Sequence, residues 1–163
     1  MRLLLIRHAN AQEFSTSGKD HDRALSEKGQ KQCERTKSVL SKLDVNLSEF
    51  ISFSSTSKRT KETTNLLFKG SLSFSFRKNI YLASSSELMQ FIWDLKTNKD
   101  LLILGHNNGL SQLASYFTGK SIFLKTGSFL TLHFPFDCSN ELSIGLGEIV
   151  NSHRCDIGAG TFL

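Results

Sequence analysis

The chain opens on an unbroken apolar run, Leu3 to Ile6, that stops abruptly at Arg7-His8. Consecutive apolar residues bounded by polar ones fit a strand covered on both faces of a sheet rather than one with a wet side. Leu101-Leu102-Ile103-Leu104 repeats the pattern and also delivers a histidine, in Gly105-His106-Asn107-Asn108-Gly109. Segments of helical period alternate with such runs. Ser26 caps a predicted helix carrying Gly29, Cys33, Thr36, Leu40 and Leu43, and a second helix, capped by Ser55 or Ser57, runs through Leu66, Leu67 and Phe68. Ser84 to Glu87 has the form of a capping box, followed at i, i+3, i+4 and i+7 by Leu88, Phe91, Ile92 and Leu95. Leu110, Leu113, Ala114 and Phe117 share that spacing. Further strands are predicted at Phe50–Phe53, at Phe74–Leu82 with an interruption at Arg77-Lys78-Asn79, at 127–134 ending before Pro135, and at Leu142–Val150. Residues 151–163 lack periodicity and are expected to form a surface tail. No repeat or linker divides the chain, so the alternation predicts one α/β domain over 1–163 with a largely parallel sheet.

Composition narrows the function classes. The formal net charge is +5, but Lys and Arg are dispersed and no nucleic-acid motif accompanies them. The balance therefore suits phosphorylated substrates, and no nucleic-acid partner is expected. No apolar run approaches the roughly 18 residues of a membrane span, and the start has none of the features of a signal peptide. Cys33, Cys138 and Cys155 are odd in number and widely spaced, which points to a reducing compartment, the cytoplasm by default, and away from a zinc site.

The candidate chemistry lies at the strand ends. Open α/β sheets place ligands at the carboxyl ends of their strands, where Arg7, His8 and His106 are predicted to sit. The helix after Ser57 carries Lys58, Arg59 and Lys61 in its first turn, although a helix N-terminus is already electropositive. A bound anion would remove that conflict, since helix N-termini and arginine both favour phosphate. The two histidines and two arginines are thus expected to converge on one anion site.

Three short motifs give this expectation a family. Arg7-His8-Ala9 resembles the RH[GA] motif of the histidine phosphatase superfamily, whose fold is phosphoglycerate-mutase-like. Ser55-x-x-x-Arg59-x-x-x-Thr63 resembles its second motif and Leu104-Gly105-His106-Asn107 its third, in the same order. The short length and Asp22-Arg23-Ala24-Leu25-Ser26-Glu27-Lys28-Gly29 resemble the SixA branch of small phosphohistidine phosphatases, with Ala24 in place of a usual proline. Thr56 and Thr60 likewise replace a frequent proline and alanine of the second motif. The resemblance implies a three-layer α/β/α fold with a mostly parallel central sheet. It also implies a metal-independent phosphatase without cofactors, acting on a protein phosphohistidine or on a small phosphorylated substrate. A non-catalytic phosphate-binding protein on the same fold is the alternative from another class.

The implied roles fall on His8 as nucleophile, Arg7 and Arg59 as grips on the phosphoryl oxygens, and His106 as a hydrogen-bond donor to the same group. Arg23, Asn107 and Ser55 would add substrate contacts. Many relatives acting on phosphate esters place a glutamate after the third strand to protonate the leaving alkoxide; the matching Tyr81-Leu82-Ala83-Ser84 has no carboxylate. Glu87 is expected to serve the capping box instead. The absence favours a phosphoramidate such as phosphohistidine over sugar phosphates, and argues against a mutase. In Asp20-His21-Asp22, Asp22 is the better candidate for a functional role, through its neighbour Arg23.

Overall fold

Leu3 and Leu5 pack into one apolar cluster and Leu4 and Ile6 into another, because successive strand residues face opposite sides of the sheet. All four are at most 1% exposed, and each such burial stabilises the fold by roughly 1.5–3 kcal/mol. The computed structural model describes residues 1–43 and 45–155. Along them run β1 (Arg2–Arg7), α1 (Glu27–Leu40), β2 (Ile51–Ser55), α2 (Lys58–Phe68), β3 (Phe74–Arg77), α3 (Ser85–Asp94), β4 (Leu101–Gly105), α4 (Gly109–Thr118), β5 (Phe129–His133) and β6 (Glu148–His153). One cluster joins the sheet to α3 and α4 through Leu88, Ile92, Leu113 and Phe117; the other joins it to α1 and α2 through Cys33, Leu40, Leu67 and Phe68. The result is the three-layer α/β/α arrangement.

The strand order is β3-β2-β4-β1-β5-β6. β1 pairs parallel with β4, β4 with β2 and β2 with β3, while β5 is antiparallel to both of its neighbours. The sheet is therefore mostly parallel. β1 and β4 lie side by side, with Arg7 opposite Gly105, yet the helix after β1 covers one face and the helix after β4 the other. Connections that diverge to opposite faces leave a crevice at the carboxyl edge of the two strands, the usual ligand position in such sheets.

Several boundaries differ from the sequence expectations. β3 ends at Arg77, and Lys78–Ile80 turns as a short 3-10 helix rather than continuing as strand to Leu82. Polar Lys78 and Asn79 are exposed there while Ile80 alone turns inward. Leu43 lies beyond the end of α1. The last strand starts later than Leu142 and runs through His153, paired with β5 from Phe129 to His133. Asn151, Ser152 and His153 therefore belong to the sheet, and Cys155 is buried beyond them; the expected tail begins too early. β6 lacks a hydrophobic period because it is an edge strand whose residues are half-buried or exposed. The remainder of that tail, 156–163, lies outside the described residues.

Local signals elsewhere match their elements. Ser26 Oγ accepts the Gly29 N–H at the start of α1, and Ser84 and Glu87 form the reciprocal capping box of α3. Ser57 occupies the N-cap of α2, but its side chain caps nothing and instead meets Thr60 Oγ1. Gly109 opens α4 against the backbone of Ala83, and an added Cβ would sit 2.0 Å from the Ala83 oxygen. Gly109→Ala is expected to push α4 off that segment and destabilise the protein by about 3 kcal/mol, as in other overpacked sites; a urea unfolding midpoint reads it.

Candidate active site

The sheet register brings the two histidines together. Arg7 is opposite Gly105, so the following residues, His8 and His106, leave adjacent strands side by side with ring centroids 5.0 Å apart. β2, on the other flank of β4, ends at Ser55, whose Oγ lies 2.8 Å from His106 Nε2. From the first turn of α2, Arg59 reaches back over the strand end and places Nη2 3.4 Å from His106 Nδ1. Arg59 is only 3% exposed, whereas Lys58 and Lys61 of the same turn are solvated. The charge conflict at this helix start therefore centres on Arg59. Arg7 donates from Nη1 to the Leu124 carbonyl at 2.8 Å, and its Nε is buried without a hydrogen-bond partner among the described residues.

The predicted residues Arg7, His8, Arg59 and His106 thus stand around one crevice. Arg23 joins them from the loop after β1. Two further candidates occupy different places from those expected of substrate contacts. Ser55 is fully buried and spends its hydroxyl on His106. Asn107 donates to the same Leu124 carbonyl as Arg7 and accepts from Ser111. Both hold neighbouring parts of the site.

The feature missed from the sequence is Asp20. Its carboxylate accepts from Arg59 Nη2 at 2.9 Å, Arg23 Nη1 at 2.8 Å and the Tyr81 hydroxyl at 2.6 Å, while its backbone carbonyl accepts from Arg59 Nη1 at 2.7 Å. Asp22, favoured as the partner of Arg23, is instead bound by Ser17 and by His21. The one-turn 3-10 helix Asp20–Asp22 explains the exchange, since three residues per turn carry Asp20, not Asp22, to the Arg23 side. Tyr81, in the stretch that lacks a carboxylate, carries no motif signal of its own in the sequence. Its ring stands edge-on to His106 at 5.4 Å, and Arg59 lies 5.9 Å from its centre.

Electrostatics follow from this packing. Burial lowers the His8 pKa to about 4; Arg59, Arg7 and Arg23 add to the shift, and a hydrogen bond with the Ala9 carbonyl opposes it. Burial, then His8 and Arg59, lower that of His106 to about 2. Both rings are neutral near pH 7. In His8, Nδ1 lies 2.7 Å from the Ala9 carbonyl, so Nδ1 carries the proton and Nε2 keeps its lone pair. Partial burial works to raise the Asp20 pKa, yet the bonds from Tyr81, Arg23 and Arg59 hold it far below the usual carboxylate range. Burial and the bond to Asp20 raise that of Tyr81, keeping the phenol protonated. Among the described residues, no group of three or more His, Cys, Asp and Glu side chains gathers as a metal site. The buried Cys33 thiol, raised to about 12 by burial, is unreactive.

A histidine whose folded pKa lies below its unfolded value contributes stability that is complete above about pH 6.5 and lost as the pH falls toward the folded pKa. For His8 the window runs from about 6.5 to about 4, and for His106 it extends to about 2. Unfolding free energy should therefore be level near neutrality and fall below pH 6.5 by up to about 1.4 kcal/mol per pH unit per histidine. The His8 ring protons, followed by NMR, should titrate near 4 rather than 6.5.

Comparison with known proteins gives a consistent picture. A chloroplastic protein of Arabidopsis thaliana described as uncharacterized is 31% identical over 139 residues, which cover 77% of this chain and 62% of that protein. The chain thus spans about three-fifths of the length of that curated relative. Among solved structures, one provisionally named phosphohistidine phosphatase SixA from Nakamurella multipartitia superimposes with a TM-score of 0.78 at 17% identity, covering 94% of this chain and 95% of that one. The protein histidine phosphatase SixA complexed with tungstate gives 0.76 at 15% identity over 94% and 97%. A phosphoserine phosphatase of Entamoeba histolytica in complex with 3-phosphoglyceric acid gives 0.65 at 13% over 94% and 96%. At these identities the structures establish the shared fold. Residues 3–78, just under half of the chain and the part that carries Arg7, His8 and Arg59, match the family model of the histidine phosphatase superfamily (branch 1).

Proposed function

We propose that the chain is a metal-independent phosphatase that forms a phosphohistidine intermediate on His8 and acts on phosphohistidine in proteins. His8 Nε2 attacks phosphorus, the bond to the leaving nitrogen breaks, and water then cleaves the new P–N bond to release phosphate. The neutral ring and the Nδ1–carbonyl bond supply the free lone pair this step requires. Arg7 and Arg59 grip the phosphoryl oxygens, with the unpartnered Arg7 Nε as one donor, and Arg23 adds charge at the rim. His106, held beside the His8 ring with Nδ1 toward Arg59 and Nε2 toward Ser55, gives its N–H to the same group once the phosphate takes the place of Ser55 as acceptor. The work belongs in a reducing compartment such as the cytoplasm, in keeping with the odd number and wide spacing of Cys33, Cys138 and Cys155.

The observation that carries the substrate reading is the state of the acids. Glu87 is bound to Ser84 in the capping box, and Asp20, the carboxylate bonded to Arg59 and Arg23, is held ionised. Neither supplies a proton to a departing alkoxide. An imidazole leaving from phosphorus takes its proton near neutral pH and needs no such donor. The names of the SixA structures agree with this chemistry; that of the phosphoserine phosphatase marks the alternative, a small-molecule phosphomonoesterase. A substrate panel decides between them. Turnover of a phosphohistidine peptide should exceed that of a phosphoserine peptide or sugar phosphate by on the order of 10²–10⁴, the usual worth of a general acid. Equal or faster ester hydrolysis overturns the assignment, and no turnover of any of them leaves the phosphate-binding alternative.

A further inference from the structure

Beside the catalytic crevice a groove of about 480 Å³ runs along α3, and Tyr81 is a wall of both. Its chemistry is unlike that of the crevice. Arg7, Arg23 and Arg59 collect at the strand ends, whereas Glu87 and Asp94 face the groove with Lys78 as the one cation among its lining residues. In a chain of net charge +5 this is a local reversal of sign. A phosphate would be repelled there, while a neutral or basic group would not.

The groove also keeps apolar surface in the open. Leu82, next to Tyr81, is 54% exposed and held at φ +51°, a left-handed backbone that leucine rarely adopts. Such strain persists only where the surroundings over-determine it, and it clusters at ligand clamps. Half-buried Phe91 adds a second apolar contact, and Gln90, whose Nε2 donates to Asp94 Oδ1 at 2.8 Å, offers its side-chain carbonyl to a peptide N–H. The volume lies in the range of ordinary ligand sites.

From this continuity and charge reversal we infer that the groove holds the polypeptide flanking the phosphohistidine, and that it selects neutral or basic sequence there. The inference rests on the phosphohistidine reading and adds to it a protein-sized, charge-selective substrate surface.

Exposed positions of α3 outside the catalytic crevice test it. Gln90→Trp fills the groove, and Asp94→Lys reverses its charge. Two substrates are compared: a phosphohistidine peptide with flanking lysines, and phosphoramidate, which has the same P–N bond and nothing to place in the groove. Each variant should raise the peptide KM about tenfold, the worth of one good contact, and leave phosphoramidate kinetics unchanged. Unmoved peptide KM in both variants overturns the inference, as does an equal change for the two substrates. Wild-type protein that hydrolyses neither substrate would refute the proposed reaction. The groove is then decided by NMR titration with the unphosphorylated peptide. Shifts at the Gln90 and Asp94 amides that vanish in Gln90→Trp support it, and their absence in wild type overturns it.

Discussion

Substituting His8 by alanine should abolish turnover, with a loss on the order of 10⁴-fold or more, the scale seen when a covalent nucleophile is removed. The decisive readout is not the rate. Protein mixed with radiolabelled phosphohistidine peptide and quenched in denaturing base, where phosphohistidine survives, should carry label in the wild type and none in His8→Ala. His8 is chosen over His106 on geometry: its Nδ1 is committed to the Ala9 carbonyl and leaves Nε2 available, whereas both nitrogens of His106 face partners, Ser55 and Arg59. Equal labelling of the two proteins would mean that another group attacks phosphorus.

Arg59→Lys carries the second large effect, although it keeps the charge. Arg59 uses Nη1 and Nη2 together on Asp20 and directs Nη2 at His106 from a site only 3% exposed. A single ammonium cannot reproduce that planar fork. Loss of such a fixed electrostatic grip should lower kcat by about 10²–10³. Asp20→Asn, which keeps an oxygen acceptor and leaves both arginines in place, should cost much less. If Arg59→Lys retained near-normal kcat, the grip on the phosphoryl group would have to come from Arg7 and Arg23 alone.

Much of the architecture was legible because β1 and β4 are buried on both faces and so read as unbroken apolar runs, each ending in a histidine. Capping signals at Ser26 and Ser84 located α1 and α3 for the same local reason. What escaped was set by tertiary structure. β6 is an edge strand that borrows its pairing from β5, so its sequence carries no period of its own. Asp20 was hidden because its meaning depends on one 3-10 turn that brings it to nearby Arg23 and, from far along the chain, to Arg59 and Tyr81. Ser55 and Asn107 were visible as motif members, but only the fold distinguishes a hydroxyl that steadies His106 from one that would touch substrate.

The pairing of β1 with β4 has a consequence for how such a protein can change over time. Neighbouring strands are fixed about 4.8 Å apart by their backbone ladder, and the two imidazoles inherit that pitch from the main chain itself. Insertions and substitutions in the surrounding loops can redraw the rim, its charge and its reach without disturbing the two imidazoles. Under the proposed reaction, new preferences for one phosphorylated partner over another are open to mutation, while the paired imidazoles yield only to a slip of the sheet.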